Sequence, residues 1–228
     1  MRSVFEQNGI RLENCDCMER LQQMPSKQID LVVTDIPYDG VNRESNGLRN
    51  LNKGNADIST FALDDFCAQL MRVAKGSVYI FCGWSQISPI YQILTGGGMS
   101  TRICVWEKTN PSPMNGDKIW LSGLEFCVFG KFSGATFNEF CKAPIFRFAS
   151  GINKIHDTEK PVELMRELVE ASSNKGDLVL DPCAGSASTA IACYRSNRRF
   201  IGYEINREYY NKAYTRLWEE TAQVRLEL

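Results

Sequence analysis

The sequence predicts an open α/β fold with a mostly parallel central sheet and helices on both faces. Three observations carry that expectation. Apolar runs of strand length alternate with longer segments of helical spacing, and several of the runs are apolar at nearly every position. A strand, a small-residue turn, a helix and a second strand also follow one another near the C-terminal end. Strands apolar on both sides belong inside a parallel sheet, and the alternating helices supply the crossovers that such a sheet requires.

In chain order, a helix is expected over 16–23, where Asp16 can cap the first turn. The run IDLVV (29–33) reads as a strand, followed by a helix over 61–74, the strand SVYIF (77–81) and a helix over 86–95. TRICVW (101–106) and LEFCVFG (124–130) read as further strands. A helix over 161–172 begins at Pro161, whose fixed φ suits a first helical turn. DLVLD (177–181), a helix over 188–196, RFIGYE (199–204) and a helix over 206–220 capped by Asn206 complete the series. Two polar stretches interrupt it, DGVNRESNGLRNLNKGNADIST (39–60) and EKTNPSPMNGDKIWLSG (107–123), and loops of that length are usually functional or mobile.

Composition narrows the function classes. A chain of 228 residues is long enough for one sizeable core. With 26 Lys and Arg against 27 Asp and Glu, no global charge announces a nucleic-acid partner. Local basic clusters do occur, at 43–54 and over 131–154. The nine cysteines are scattered without a C-x-x-C pair and there is one histidine, so neither a metal site nor a disulfide framework is expected. No apolar run approaches a membrane span and the N-terminus lacks a signal-peptide core, which points to the cytoplasm.

Two stretches carry chemistry. In LVVTDIPYDG (31–40) an apolar strand ends in an acid followed by Ile-Pro-Tyr. Alone, this is equally a strand-end turn, with Asp35 capping and Tyr38 in the core. In LVLDPCAGSASTAIACYRSNRRFIGYEIN (178–206) a strand ends at Asp181, a small-residue turn follows, and the next strand ends at Glu204. Small residues let a ligand approach the backbone, and a helix N-terminus offers free N–H groups, although the same unit can be mere packing. A carboxylate about 20 residues downstream suits ribose hydroxyls. The turn is not G-x-G-x-x-G, and Asp181 would oppose a pyrophosphate. A nucleoside-like ligand without phosphates fits better, and S-adenosylmethionine is one.

With both stretches on the page, the sequence resembles the amino-methyltransferases of DNA, which use S-adenosylmethionine to methylate N6 of adenine or N4 of cytosine. DIPY (35–38) is similar to the catalytic D-P-P-Y signature, and DPCAGSAST (181–189) to the cofactor motif D-P-F-x-G-S-G-T. HDTEKP (156–161) is similar to the H-x-T-x-K-P element that precedes the cofactor motif in one subgroup. Residues 14–38 follow the family's pattern of an acid before a helix and then the catalytic strand. The catalytic motif comes first, which is the circularly permuted, beta-type order. Ile36 stands in place of the first proline, Cys183 in place of phenylalanine, and Ala187 and Ser188 in place of the final Gly-Thr.

The resemblance implies a Rossmann-like methyltransferase fold as a single catalytic domain over 1–228, with a short target-recognition insertion at about 131–155. It assigns catalysis to Asp35, Ile36, Pro37 and Tyr38. The target amino group would donate to the Asp35 carboxylate and the Ile36 carbonyl, while an extruded base stacks on Tyr38. Because that contact uses a carbonyl, Ile36 is compatible with it. Cofactor binding falls to Asp16, Cys17, Asp35, His156, Lys160, Asp181, Pro182, Cys183, Ala184, Gly185, Ser186, Ser188, Glu204 and Ile205. Plainer roles are open for three of these: Asp16 as a helix cap, His156 as a structural hydrogen bonder, Lys160 as a solvated charge. Arg43, Arg49, Lys53, Lys108, Lys142 and Arg147 are candidates for DNA phosphate contacts, or else form a solvated face. Trp106 and Trp120 are expected to pack, the alternative being that one of them lines the base pocket.

The leading Asp of DIPY leans toward adenine N6, since cytosine-N4 enzymes often begin this motif with serine. The alternatives are an N4-cytosine enzyme and a non-catalytic DNA- or cofactor-binding relative. The implied partner is double-stranded DNA, with room for a homodimer and for a separate restriction endonuclease, in a bacterial or phage-infected cytoplasm and without a membrane.

Overall fold

The computed structural model describes residues 3–38, 60–113, 116–151 and 159–222. Among them nine strands form one sheet: β1 (Val4–Gln7), β2 (Ile10–Asn14), β3 (Ile29–Asp35), β4 (Ala74–Cys82), β5 (Ser100–Lys108), β6 (Leu124–Lys131), β7 (Ile145–Phe148), β8 (Leu178–Asp181) and β9 (Arg199–Glu204). Their spatial order is β1-β2-β9-β8-β3-β4-β6-β5-β7. The stretch from β2 to β4 is parallel throughout, and β5 pairs with β7 in parallel. Only the pairs made by β1 and β6 are antiparallel. The predicted α/β architecture with a mostly parallel sheet is therefore the observed one.

Helices α1 (Cys17–Gln23), α2 (Leu63–Val73), α3 (Ile87–Gly96), α4 (Val162–Ser172), α5 (Ser188–Arg195) and α6 (Arg207–Ala222) begin and end within two residues of the predicted spans. Pleating sends alternate side chains of β3 to opposite faces. Leu31 and Val33 join a core with α4, α5 and α6, while Val32 joins one with α1, α2 and α3, as does Ile29 beyond the register shift that precedes Leu31. Each fully buried aliphatic side chain in these two cores contributes about 1.5–3 kcal/mol. Asn206 caps α6 as expected, its side-chain oxygen accepting from Glu208 N–H and Tyr209 N–H.

Three strands were not expected from the sequence. β1 and β2 form a hairpin through Asn8-Gly9, both at positive φ (52° and 78°), the backbone that a two-residue turn of matching twist requires. β7 lies inside the segment expected to be a target-recognition insertion, and it adds an edge strand beside β5. Trp106 packs as expected, donating its indole N–H to Phe148 O at 2.9 Å. Trp120 does not: it is 95% exposed.

The connections fix where a ligand can sit. From β3 the chain crosses through α2 to β4 on one side, and from β8 it crosses through α5 to β9 on the other. β3 and β8 are neighbours, so the direction of winding reverses between them. A crevice opens at such a reversal, outside the carboxyl ends of the strands.

Candidate active site

The crevice at this reversal is lined from both halves of the sheet. Asp35, Ile36, Pro37 and Tyr38 reach it from the end of β3. Asp181, Pro182, Cys183, Ala184, Gly185, Ser186 and Ser188 reach it from the turn between β8 and α5, and Glu204 and Ile205 from the end of β9. Cys17 and Lys160 complete the set of predicted residues found there, joined by Cys15, Phe61, Glu159, Tyr203 and Tyr209, which the sequence reading did not name. Two stretches far apart in sequence thus face one space.

The turn after β8 is organised by its own acids. Asp181 is buried and accepts from Cys183 N–H at 3.1 Å and from the Thr189 hydroxyl at 2.7 Å. Burial pushes its carboxyl up to about 7 against those hydrogen bonds. Glu204, also buried, accepts from Gly185 N–H at 2.9 Å and from Asn206 N–H at 2.7 Å. Burial raises its pKa while those backbone contacts oppose the rise. A carboxylate has about four lone-pair sites, so Glu204 keeps capacity for hydroxyl donors. Gly185 and Ala187 hold positive φ (49° and 63°). From α6, Arg216 donates to Ser186 O at 3.0 Å and to Ser188 Oγ at 3.2 Å, and it pairs with Glu159 at 2.8 Å.

At the end of β3 the ladder continues through Ile36 N–H to Phe81 O. The Ile36 side chain is buried in the core with Cys17 and Leu21, so an aliphatic residue is satisfied where the D-P-P-Y signature has proline. Pro37 O accepts from Gln86 at 3.0 Å, and Gln86 in turn accepts from Gly83 N–H. A Cβ on Gly83 would come within 3.2 Å of the Tyr38 Cβ, which explains the glycine.

Four charged groups follow one another here. Lys160 is 3% exposed, and its ammonium donates to Asp35 Oδ2 at 2.5 Å and meets Glu125 Oε2 at 3.0 Å. Lys108 meets Glu125 Oε1 at 2.6 Å. The Tyr38 hydroxyl donates to Glu125 at 3.2 Å and accepts from Lys160 at 3.2 Å. The two lysines hold Glu125 down to about 2 despite its burial. Burial raises Asp35, with Lys160 opposing. The Lys160 ammonium is held above its ordinary pKa because its two carboxylates outweigh its desolvation. Asp35 Oδ1 is sealed from solvent and has no hydrogen-bond partner among the described residues. An unpaired buried acceptor is costly, and it invites a donor.

The remaining predicted residues divide. Asp16 caps α1, accepting from Met18 N–H at 2.8 Å, and its neighbours Cys15 and Cys17 line the crevice. Lys108 belongs to the charged cluster beside Tyr38. Lys142 pairs with Glu139 and Glu167, and Arg147 with Glu107. His156, Arg43, Arg49 and Lys53 lie outside the described residues. Glu125 was missed, although an acid inside the apolar run LEFCVFG is itself a signal. Arg216 gave no such signal, being one of several charges along a helix.

A family model described as DNA methylase matches residues 117–215, a span holding Glu125, Lys160, the 181–188 turn and Glu204. The chain is 29% identical to the type II methyltransferase M.HpaI of Haemophilus parainfluenzae, over 92% of this chain and 74% of that protein. It is 25% identical to the type II methyltransferase M2.DpnII of Streptococcus pneumoniae, over 96% of this chain and 93% of that one. Among solved structures, M1.HpyAVI in complex with SAM aligns with a TM-score of 0.72 at 27% identity, covering 91% of this chain and 98% of that one. The cytosine-N4-specific PvuII DNA methyltransferase aligns with a TM-score of 0.71 at 16% identity, over 96% and 88%, a likeness of fold alone.

Proposed function

We propose that this chain, a DNA amino-methyltransferase dependent on S-adenosylmethionine by its motifs, its fold and its relatives, methylates the exocyclic N6 of adenine in double-stranded DNA. The observation that carries the reading is Asp35. Asp35 lines the crevice, one of its carboxylate oxygens is anchored by buried Lys160, and the other is buried with no hydrogen-bond partner among the described residues.

The cofactor supplies an activated methyl group. Glu204 offers its remaining lone pairs to ribose hydroxyls, and the small residues Ala184, Gly185 and Ser186 let a ligand lie against the backbone. This fits a nucleoside without phosphates, because Asp181 and Glu204 both face the crevice.

An exocyclic amino group is a poor nucleophile because its lone pair is delocalised into the ring. Asp35 Oδ1 accepts one of its N–H bonds and the Ile36 carbonyl accepts the other. The nitrogen is drawn toward tetrahedral geometry, and its lone pair turns to the methyl. The protein contributes alignment and preorganised charge. Tyr38, its hydroxyl tied to Glu125 and Lys160, presents its ring to an extruded base; such stacking is worth about 1–3 kcal/mol. The acid at the head of DIPY favours adenine over cytosine.

On the same reading 1–228 is one catalytic domain acting in the cytoplasm. A homodimer would supply recognition surface that the short 131–155 segment lacks.

The test is to incubate the protein with labelled S-adenosylmethionine and unmethylated genomic DNA and to analyse the nucleosides. N6-methyladenine is expected. Label in N4-methylcytosine overturns the choice of base, label confined to RNA overturns the substrate class, and cofactor binding without turnover supports a non-catalytic relative.

A further inference from the structure

Glu125 is in neither motif, yet it touches three members of the site. It stands near the start of β6, and β6 is antiparallel to both β4 and β5. Its first residues therefore lie at the edge where β4 and β5 end, which brings Glu125 beside Lys108 and Tyr38. The four charges alternate along the chain of contacts: Lys108, Glu125, Lys160, Asp35.

We propose that Glu125 is a positioning residue for methyl transfer: by sharing the Lys160 ammonium with Asp35, it confines that ammonium to Oδ2 and keeps Oδ1 without a protein donor, as an acceptor reserved for the substrate amino group. The assignment rests on the reading of Asp35 as the acceptor for that amino group. Lysine has three donors on a flexible stem. With Glu125 neutral, the ammonium is attracted by Asp35 alone of the two carboxylates and is drawn across its face. Asp35 then becomes a weaker acceptor, and the Tyr38 hydroxyl loses its anionic partner. Lys108 is the counterweight. It holds the far oxygen of Glu125 at 2.6 Å and keeps the cluster neutral as a whole.

The pH dependence of turnover reads this arrangement directly. The titratable and charged groups facing Asp35 are Lys160 and its neighbour Glu159, Tyr38, Glu125 and Cys127 on β6, Lys108 on β5, Cys82 on β4, and Asp181 at the end of β8. Turnover requires the Asp35 carboxylate, so its acid limb follows that group. Removing the negative charge of Glu125 eases ionisation of Asp35 and lowers the limb. Removing the positive charge of Lys108 does the opposite.

The experiment measures single-turnover methylation of saturating unmethylated genomic DNA with labelled S-adenosylmethionine, from pH 5 to 9, alongside cofactor Kd by calorimetry. For Glu125→Gln the plateau rate is expected to fall roughly ten- to a hundredfold, as for a misplaced reacting group. Its acid limb should move down by about one pH unit, with cofactor Kd within about twofold of the parent. Lys108→Met should move the limb up, and the double variant, neutral again, should return it toward the parent. Limbs that stay put in both single variants overturn the assignment, even if the rates fall, because a merely structural loss lowers the rate without retuning Asp35. Should Glu125→Gln fail to fold, the upward shift in Lys108→Met still decides the matter. Asp35→Asn is run in parallel. An inactive Asp35→Asn with unmoved limbs removes Glu125 alone, whereas an active Asp35→Asn removes the underlying reading of Asp35.

Discussion

Asp35 differs from the other carboxylates at this edge of the sheet in what its two oxygens do. Asp181 and Glu204 each accept two donors, Asp181 from Cys183 and Thr189 and Glu204 from Gly185 and Asn206. Asp35 keeps one oxygen for something else. Replacing it with alanine should therefore reduce turnover by about a thousandfold, the scale of losing a preorganised electrostatic contact. Cofactor Kd should change little, as checked by calorimetry beside the labelled-methyl assay. A variant with substantial activity would relocate the chemistry. Asp181 makes a separate prediction about stability. Its folded pKa of about 7 lies above its ordinary value of 3.8, so the folded state binds the proton more tightly than the unfolded state does. Stability from this group is fully present below about pH 4 and is lost as pH rises toward 7. Asp181→Asn, which cannot ionise, should gain on the parent in thermal melts of the cofactor-free protein between pH 5 and 8. A constant gap across that range would mean that Asp181 is ionised throughout.

At the scale of elements, the turn between β8 and α5 is held from outside itself. Arg216 reaches it from α6 through two hydrogen bonds, and its pair with Glu159 ties it to the residue before Lys160. Arg216→Met removes charge-assisted hydrogen bonds worth about 1.5–3 kcal/mol each in general. It should weaken cofactor binding about tenfold by calorimetry, with kcat at saturating cofactor close to the parent's. A second prediction concerns the other end of the sheet. A Cβ on Gly76 would lie 1.9 Å from Asp30 O, where the register between β3 and β4 shifts. Gly76→Ala should cost about 2–3 kcal/mol in denaturant unfolding by overpacking backbone on backbone. The folded fraction should bind cofactor normally, because the site lies at the opposite ends of those strands. The helices were legible in the sequence because each carries an apolar face at helical spacing, with Asp16 and Asn206 as visible caps. The β1–β2 hairpin carries a legible turn in Asn8-Gly9, but its strands are only four and five residues long and interleave charged residues, which hides the buried Ile10 and Leu12 of β2. β7 was not legible: its Ile145–Phe148 run is partly exposed and pairs only through β5, a partner about forty residues away.

For the molecule as a whole, the crevice opens where β3 and β8 meet, so a ligand there contacts both halves of the sheet. Binding should stabilise the fold by linkage, about 2.7 kcal/mol at a concentration one hundred times Kd. For a chain of this size that is roughly 5–10 °C in Tm. A melt unchanged by S-adenosylmethionine would contradict the crevice as its site. Residue types and their order in the chain determined the α/β class and singled out the two stretches that line the crevice, because hydrophobic period and short motifs are local properties. Tertiary structure alone decided that Glu125 and Lys108 share a charge network with Asp35 and Lys160, that Arg216 clamps the turn between β8 and α5, and that Trp120 is exposed where packing was expected. Those facts depend on an antiparallel β6 that starts where its neighbours end and on a helix folded back over a distant turn. No local pattern encodes which strand ends will share an edge.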